Sequence, residues 1–140
     1  MKKKEPPKVL TNLEIADLYN KFDYTGRSLI AADFVQAMQK PNTLIFDLRD
    51  KDQYQTGHVK GAVHLGADVT IEKLKKLAPD THTTILVYCQ NSFEMSRMVS
   101  LTHMVAPQLY ILGYKNVYYL EFDIKNIGAR DDLIPWEGEK

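Results

Sequence analysis

At 140 residues the chain has the size of one ordinary domain, and 44% apolar with 26% charged residues is the balance of a globular core, not of a disordered segment. Eighteen Lys plus Arg offset eighteen Asp plus Glu, so no global field recruits nucleic acid or an anionic membrane, and no run approaches the ~20 apolar residues of a membrane span. The single cysteine, Cys89, has no intramolecular partner and gives no sign of an oxidising compartment, so the expected address is cytoplasmic.

Residues 1–10 read as a flexible lead-in and 11–140 as a single domain. Met1-Lys2-Lys3-Lys4 starts like a signal peptide, but Glu5-Pro6-Pro7-Lys8 follows in place of an apolar stretch. The basic clusters Lys2–Lys4 and Lys73 with Lys75 and Lys76 are small and read as solvated surface. Thr11 and Glu14 have capping-box spacing and open a helix over 12–22 that ends at Tyr24-Thr25-Gly26. A short strand around Ser28–Ile30 and a helix from Ala32 to Gln39, stopped by Pro41, come next.

From Thr43 strands and helices alternate. Thr43–Phe46 is a strand, and Asp50 caps a short helix closed by Gly57. Gly61–Leu65 is a small strand and Ile71–Leu77 a helix. Thr83–Tyr88 is the strongest strand, apolar and β-branched. Residues 92–112 read helical, with Pro107 either kinking that helix or starting a second one. Gly113 stops it and 115–120 is the last strand. Pro135-Trp136 forms a short docked turn, with Trp136 packed back on the body. Strands separated by helices of this length give a parallel α/β sheet covered on both faces.

In such a sheet, sites form beyond the carboxyl ends of strands, and Cys89 follows the strongest one. Asn91 and Glu94 have capping-box-like spacing, which predicts a helix starting near Ser92 or Phe93. Its free N–H groups would face the sulfur, favour the thiolate and cradle a negative group attached to it. The plain alternative is a small buried hydrophobe beside an apolar strand.

Four motifs, in order, resemble the rhodanese-like family over about residues 28–120. Ile45-Phe46-Asp47-Leu48-Arg49-Asp50 is similar to the family's strand ending in Asp-x-Arg. Tyr54 to Val63 is similar to its Tyr-x-x-Gly-His-Ile-x-Gly-Ala motif. Val87-Tyr88-Cys89 resembles its approach to the active loop, and Gly113 to Tyr118 its closing join. The resemblance implies a mostly parallel five-stranded sheet with helices on both faces, here with an extra N-terminal helix. It implies Cys89 as a nucleophile carrying a sulfane sulfur as a persulfide, and a loop of Gln90, Asn91, Ser92, Phe93, Glu94 and Met95 as its cradle. Asp47, Arg49 and His58 become supporting residues. Asp47 with Arg49 is read as a structural ion pair, and His58 as a lock on its turn through a backbone hydrogen bond. Gly57 and Gly61 are read as tight turns. No cofactor and no metal are expected. The expected partners are a small sulfur donor or protein persulfide and a thiol acceptor, without nucleic acid or membrane.

The loop departs from the family in chemistry. A six-residue loop, Cys89 to Glu94, is the sulfurtransferase type, whereas seven residues, to Met95, make the phosphatase or arsenate-reductase type. That second type closes on an arginine where Met95 stands, and a thioether offers a phosphoryl group no charge. Arg97 lies two residues on. The loop has no glycine, and Asn91 stands ready for a left-handed conformation in its place. Glu94, and Asp123 farther along, add negative charge that opposes thiosulfate. An insertion around 102–109, holding His103 and Pro107, is read as cover for exposed core. Three functions remain: a sulfurtransferase passing sulfur through Cys89 to a thiol or cyanide; a weak or inactive binding module; and, last, a cysteine phosphatase or arsenate reductase.

Overall fold

The computed structural model describes residues 11, 13–14, 17, 21–94, 100–121 and 133–139. In chain order the elements are β1 (Ser28–Leu29), α1 (Ala31–Met38), β2 (Thr43–Asp47), α2 (Lys51–Thr56), β3 (Gly57–Val59), β4 (Val63–His64), α3 (Ile71–Leu77), β5 (Thr84–Tyr88), a 3-10 turn (Gln90–Ser92), α4 (Leu101–Ile111), β6 (Val117–Leu120) and β7 (Trp136–Gly138). Five strands form a parallel sheet in the order β1-β6-β5-β2-β4, and β3 pairs antiparallel with β7 in a separate ribbon.

Alternation along β5 divides the core. Ile85 and Val87 face α3 and α4, packing with Leu74, Val105, Ala106 and Leu109. Leu86 and Tyr88 face α1, packing with Ala31, Phe34 and Leu120. Side chains two apart on a strand share a face, so the central strand is buried on both sides and reads as an unbroken apolar run. The register sets Asp47 beside Tyr88, so the ends of β2 and β5 lie side by side just before Cys89.

Local signals place most of the ends. The Asp50 carboxylate accepts from the Gln53 amide at 2.9 Å, and the Thr70 hydroxyl from the Lys73 amide at 3.3 Å, which starts α2 and α3. Thr11 and Glu14 make reciprocal capping bonds, both 3.2 Å. Most of the helix expected over 12–22 falls outside the described residues. Of the basic cluster, Lys75 and Lys76 are exposed, while Lys73 folds back to donate to the Leu65 carbonyl at 2.6 Å.

Pro107 neither opens a helix nor ends one: it lies inside α4 and is buried. A proline there leaves the carbonyl four residues earlier without its helical donor. That carbonyl belongs to His103, and the Tyr24 hydroxyl donates to it at 2.8 Å. The His103 ring packs against Tyr24 and Tyr119, and its Nε2 lies 3.2 Å from Glu121 Oε2. With Thr102, Val105, Ala106 and Leu109 buried, residues 102–109 cover the core.

Two local expectations are corrected. The helix expected from 92 is broken: Gln90–Ser92 is a 3-10 turn, Phe93 and Glu94 are non-helical, and α4 starts at Leu101. Gly57–Val59, read as a turn, is a strand, and its partner is the segment expected as a docked turn around Trp136. Gly57 has an extended φ of −175°, so it serves close approach and not a tight turn. A Cβ there would run into the Glu139 carbonyl oxygen and lie 2.7 Å from Trp136 Nε1. Gly61, at φ +82°, does occupy a left-handed turn position. We expect Gly57→Ala to cost about 1–3 kcal/mol and to loosen β7, read in urea as lost stability and a red-shifted emission of the sole tryptophan. Wild-type values for both would show that the ribbon has room for a methyl group.

Candidate active site

Asp47, the last residue of β2, is fully buried. Its Oδ1 accepts from the Arg49 amide at 2.8 Å and from Arg49 Nε at 3.2 Å. Its Oδ2 accepts from Arg49 Nη2 at 2.9 Å and from the Tyr88 hydroxyl at 2.6 Å. The carboxylate is thus ringed by donors, the condition under which a buried charge is tolerated. Tyr88 in turn accepts from the Val59 amide at 3.0 Å, and Arg49 Nη2 donates to the Gly57 carbonyl at 2.5 Å. One acid therefore joins β2, β5 and β3. Burial, reinforced by the Asp47 carboxylate, pushes the Tyr88 hydroxyl far above the usual phenol range, so it stays a neutral donor. Burial pulls the Arg49 guanidinium down, but the hydrogen bonds and charge of Asp47 outweigh it and the net direction is upward. Arg49 stays cationic.

Cys89 follows Tyr88 directly and is buried, with its side chain in the core layer of Val87 and Val105. The loop after it is pinned by Ser92. The Ser92 hydroxyl accepts from the Cys89 amide at 3.1 Å and donates to the Leu120 carbonyl of β6 at 2.7 Å. Both of those bonds go to backbone, so Ser92 anchors the turn. The Asn91 side chain donates to Ser100 Oγ at 3.3 Å, across the mouth of α4. Asn91 is not left-handed, since Asn42 is the one non-glycine residue with positive φ among those described. Gln90 Nε2 donates to Glu94 Oε1. Phe93 leaves the sulfur's layer and packs edge-on against Tyr88 and Trp136, with ring centroids 5.9 Å away in each case. The thiol is therefore not smothered by the loop's aromatic residue. Met95, Arg97 and Asp123 lie outside the described residues.

A small cleft of about 80 Å³ reaches Cys89, lined also by Arg49, Asp50, Gln53, Gln90 and Leu101. Two of the three guanidinium nitrogens of Arg49, Nε and Nη2, are taken by Asp47 and Gly57, and Arg49 is one of the residues that line the cleft. Of the residues expected at the site, Asp47 and Arg49 pair with each other behind it, and Gln90 and Asn91 line it. Ser92 and Phe93 brace the turn, and exposed Glu94 is held by Gln90. His58 stands apart on β3: Nδ1 lies 2.7 Å from the Tyr54 carbonyl, Nε2 lies 3.1 Å from Glu137 Oε2, and the ring stacks on Tyr54.

Sequence reasoning missed Tyr88, Asp50, Gln53, Leu101 and Trp136. Tyr88 reads as one more apolar strand residue; its hydroxyl matters only because register brings it to Asp47. Among the described residues no cluster of His, Cys, Asp and Glu is arranged to hold a metal, and no helix is long and apolar enough to cross a membrane. Tyr88→Phe removes a hydrogen bond to a buried carboxylate and leaves the Val59 amide without its acceptor, for an expected loss of about 1.5–3 kcal/mol. Arg49→Met leaves that carboxylate uncompensated and is expected to cost about 3–5 kcal/mol. Chemical denaturation measures both, and the reverse order would show that the hydroxyl, not the guanidinium, is the main support of Asp47.

The profile of the rhodanese-like domain family matches residues 31–129. Curated relatives named tRNA uridine(34) hydroxylase include one from Bacillus pumilus, 32% identical over 137 residues covering 93% of this chain and 40% of that protein. Another, from Bacillus cereus, is 36% identical over 140 residues covering 96% and 42%. The chain spans about two fifths of the length of these relatives. Among solved structures, a rhodanese-like domain from Anabaena superposes with a TM-score of 0.62 at 20% identity, covering 82% of this chain and 81% of that one. A Bacillus halodurans protein superposes with a TM-score of 0.64 at 18% identity, covering 91% and 87%. These structural likenesses speak for the fold, and the α/β sheet with Cys89 at the exit of its central strand agrees with them. The profile match covers Asp47, Arg49, His58 and the whole Cys89 loop, and on that ground the chain belongs to the rhodanese-like domain family.

Proposed function

We propose that this chain is a sulfurtransferase that carries one sulfane sulfur on Cys89. The observation that carries this reading is the small cleft of about 80 Å³ that reaches the sulfur, lined by Arg49, Gln53 and Gln90. The Cys89 thiolate attacks the outer sulfur of a donor persulfide. The new S–S bond forms as the donor's own S–S bond breaks, and the donor leaves as a thiolate that takes a proton from water. An acceptor thiolate, or cyanide, then attacks the outer sulfur and releases Cys89 as a thiolate. Arg49 lines the cleft in which this step takes place, and Asp47 holds its guanidinium in position.

A persulfide is the better donor than thiosulfate. Asp50 lines the cleft, and the one cation there among the described residues, Arg49, is already neutralised by Asp47. A dianion meets little net attraction in such a site. The same shortage of free cation speaks against phosphate esters and arsenate. An inert module sharing the fold would take up no sulfur at all.

The test is cyanide-releasable sulfur, read as thiocyanate, after incubation with glutathione persulfide or thiosulfate. We expect persulfide to load the protein faster than thiosulfate, and Cys89→Ala to release none. Equal release from Cys89→Ala would remove the thiol from the chemistry, and equal loading from thiosulfate would remove the charge argument.

A second reading rests on the relatives' name, at 32–36% identity over nearly all of this chain: support of hydroxylation at uridine 34 of tRNA. Its test is the hydroxylated fraction of uridine 34 in cells with the gene deleted or carrying Cys89→Ala. On the sulfurtransferase reading neither strain loses it; a loss in both would favour the tRNA reading and overturn the expectation that nucleic acid is no partner.

A further inference from the structure

The cleft at Cys89 does not end at the surface. It shares Arg49, Gln53 and Gln90 with a second, larger groove of about 390 Å³, walled by Asp52 and Thr56 of α2 and by Trp136 and Glu139 at the β7 end. The two spaces divide a ligand between them. The narrow one takes the reacting sulfur; the wide one takes several residues' worth of whatever carries it. Trp136 gives the groove a flat wall that is held rigidly. Its Nε1 donates to the Glu139 carbonyl at 2.8 Å, its ring meets Phe93 edge-on, and the Arg49 guanidinium lies 5.3 Å from its centroid.

Charge selects the occupant. Asp50, Asp52 and Glu139 line the combined groove and are exposed, and Glu94 is tied to Gln90 at its edge. Among the described residues no lysine lines either space, and Arg49 is spent on Asp47. A thiol on an anionic body is repelled there, and one flanked by cations is drawn in.

We propose that the groove between α2 and β7 is the docking site for the sulfur acceptor, a cysteine on a peptide or protein with Lys or Arg beside it. Trp136 and Glu139 lie beyond the segment that the family profile matches, on the ribbon of β3 and β7. The acceptor cysteine enters the narrow cleft, its thiolate attacks the outer sulfur of the Cys89 persulfide, and its thiol proton passes to solvent. The proposal rests on the reading of Cys89 as a sulfur carrier.

The experiment loads the full chain with glutathione persulfide, removes the donor, and follows sulfur transfer to two synthetic peptides, Lys-Lys-Cys-Lys-Lys and Glu-Glu-Cys-Glu-Glu. The readout is the ratio of their second-order rates in wild type and in Asp52→Asn/Glu139→Gln. Among the described residues neither carboxylate takes part in a hydrogen bond, and the ratio cancels both altered loading and the peptides' intrinsic thiol reactivity. We expect the ratio to fall on the order of fivefold in the double variant, and to fall in wild type as salt is raised. A ratio equal in both proteins at low salt would overturn the docking site while leaving Cys89 a sulfur carrier. A chain that takes no sulfur from the donor would overturn the carrier reading and this inference with it.

Discussion

The site depends on one buried carboxylate. Asp47 sits at the exit of β2 with no solvent contact, where an unpaired charge would cost several kcal/mol. Its compensation is drawn from three strands: Arg49 just beyond β2, Tyr88 at the end of β5, and through Tyr88 the amide of Val59 on β3. Because Tyr88 precedes Cys89, satisfying Asp47 also fixes where the thiol emerges. The same demand fixes the Arg49 guanidinium, with two of its nitrogens committed to Asp47 and Gly57. The residue that pairs with the buried acid is thus also one that lines the cleft beside the sulfur.

The loop is held from the other side by a 3-10 turn capped at Cys89 and by the side chains of Ser92 and Phe93. The Ser92 hydroxyl spans from the Cys89 amide to the Leu120 carbonyl, tying the turn to β6. Phe93 is clamped between Tyr88 and Trp136 in the opposite core layer. These anchors keep the bulky side chain away from the thiol and leave a small cleft beside it. Farther along, Pro107 removes one helical hydrogen bond from α4, and Tyr24 fills the gap at His103. The segment before β1 is thereby joined to the helix that follows the active loop.

Much of this was legible in the residues. Asp50 announces its helix through a side chain that bonds the backbone nearby, and Thr84–Tyr88 announces a buried strand by composition. Cys89 stood out by being alone, and Asp47 and Arg49 by the resemblance of their segment to the family's strand ending in Asp-x-Arg. What was not legible depends on distant partners. Where a helix is expected from Ser92 the chain makes a 3-10 turn, and the Ser92 hydroxyl bonds Leu120, 28 residues later. The β3–β7 ribbon joins residues about eighty positions apart, and nothing in Gly57–Val59 announces Trp136–Gly138. Gly57 shows the same limit: its lack of a side chain was visible, but the reason, close approach of Glu139, was not.

The central claim is that the sulfur of Cys89 is held where it forms and retains a covalent bond to one further sulfur. Intact-mass spectrometry under native conditions, after incubation with a small persulfide and removal of the excess, tests this most directly. The account predicts a gain of one sulfur atom, located by fragmentation on the peptide that holds Cys89 and removed by cyanide. An unchanged mass, under conditions that label Cys89 fully once the chain is unfolded, would contradict it.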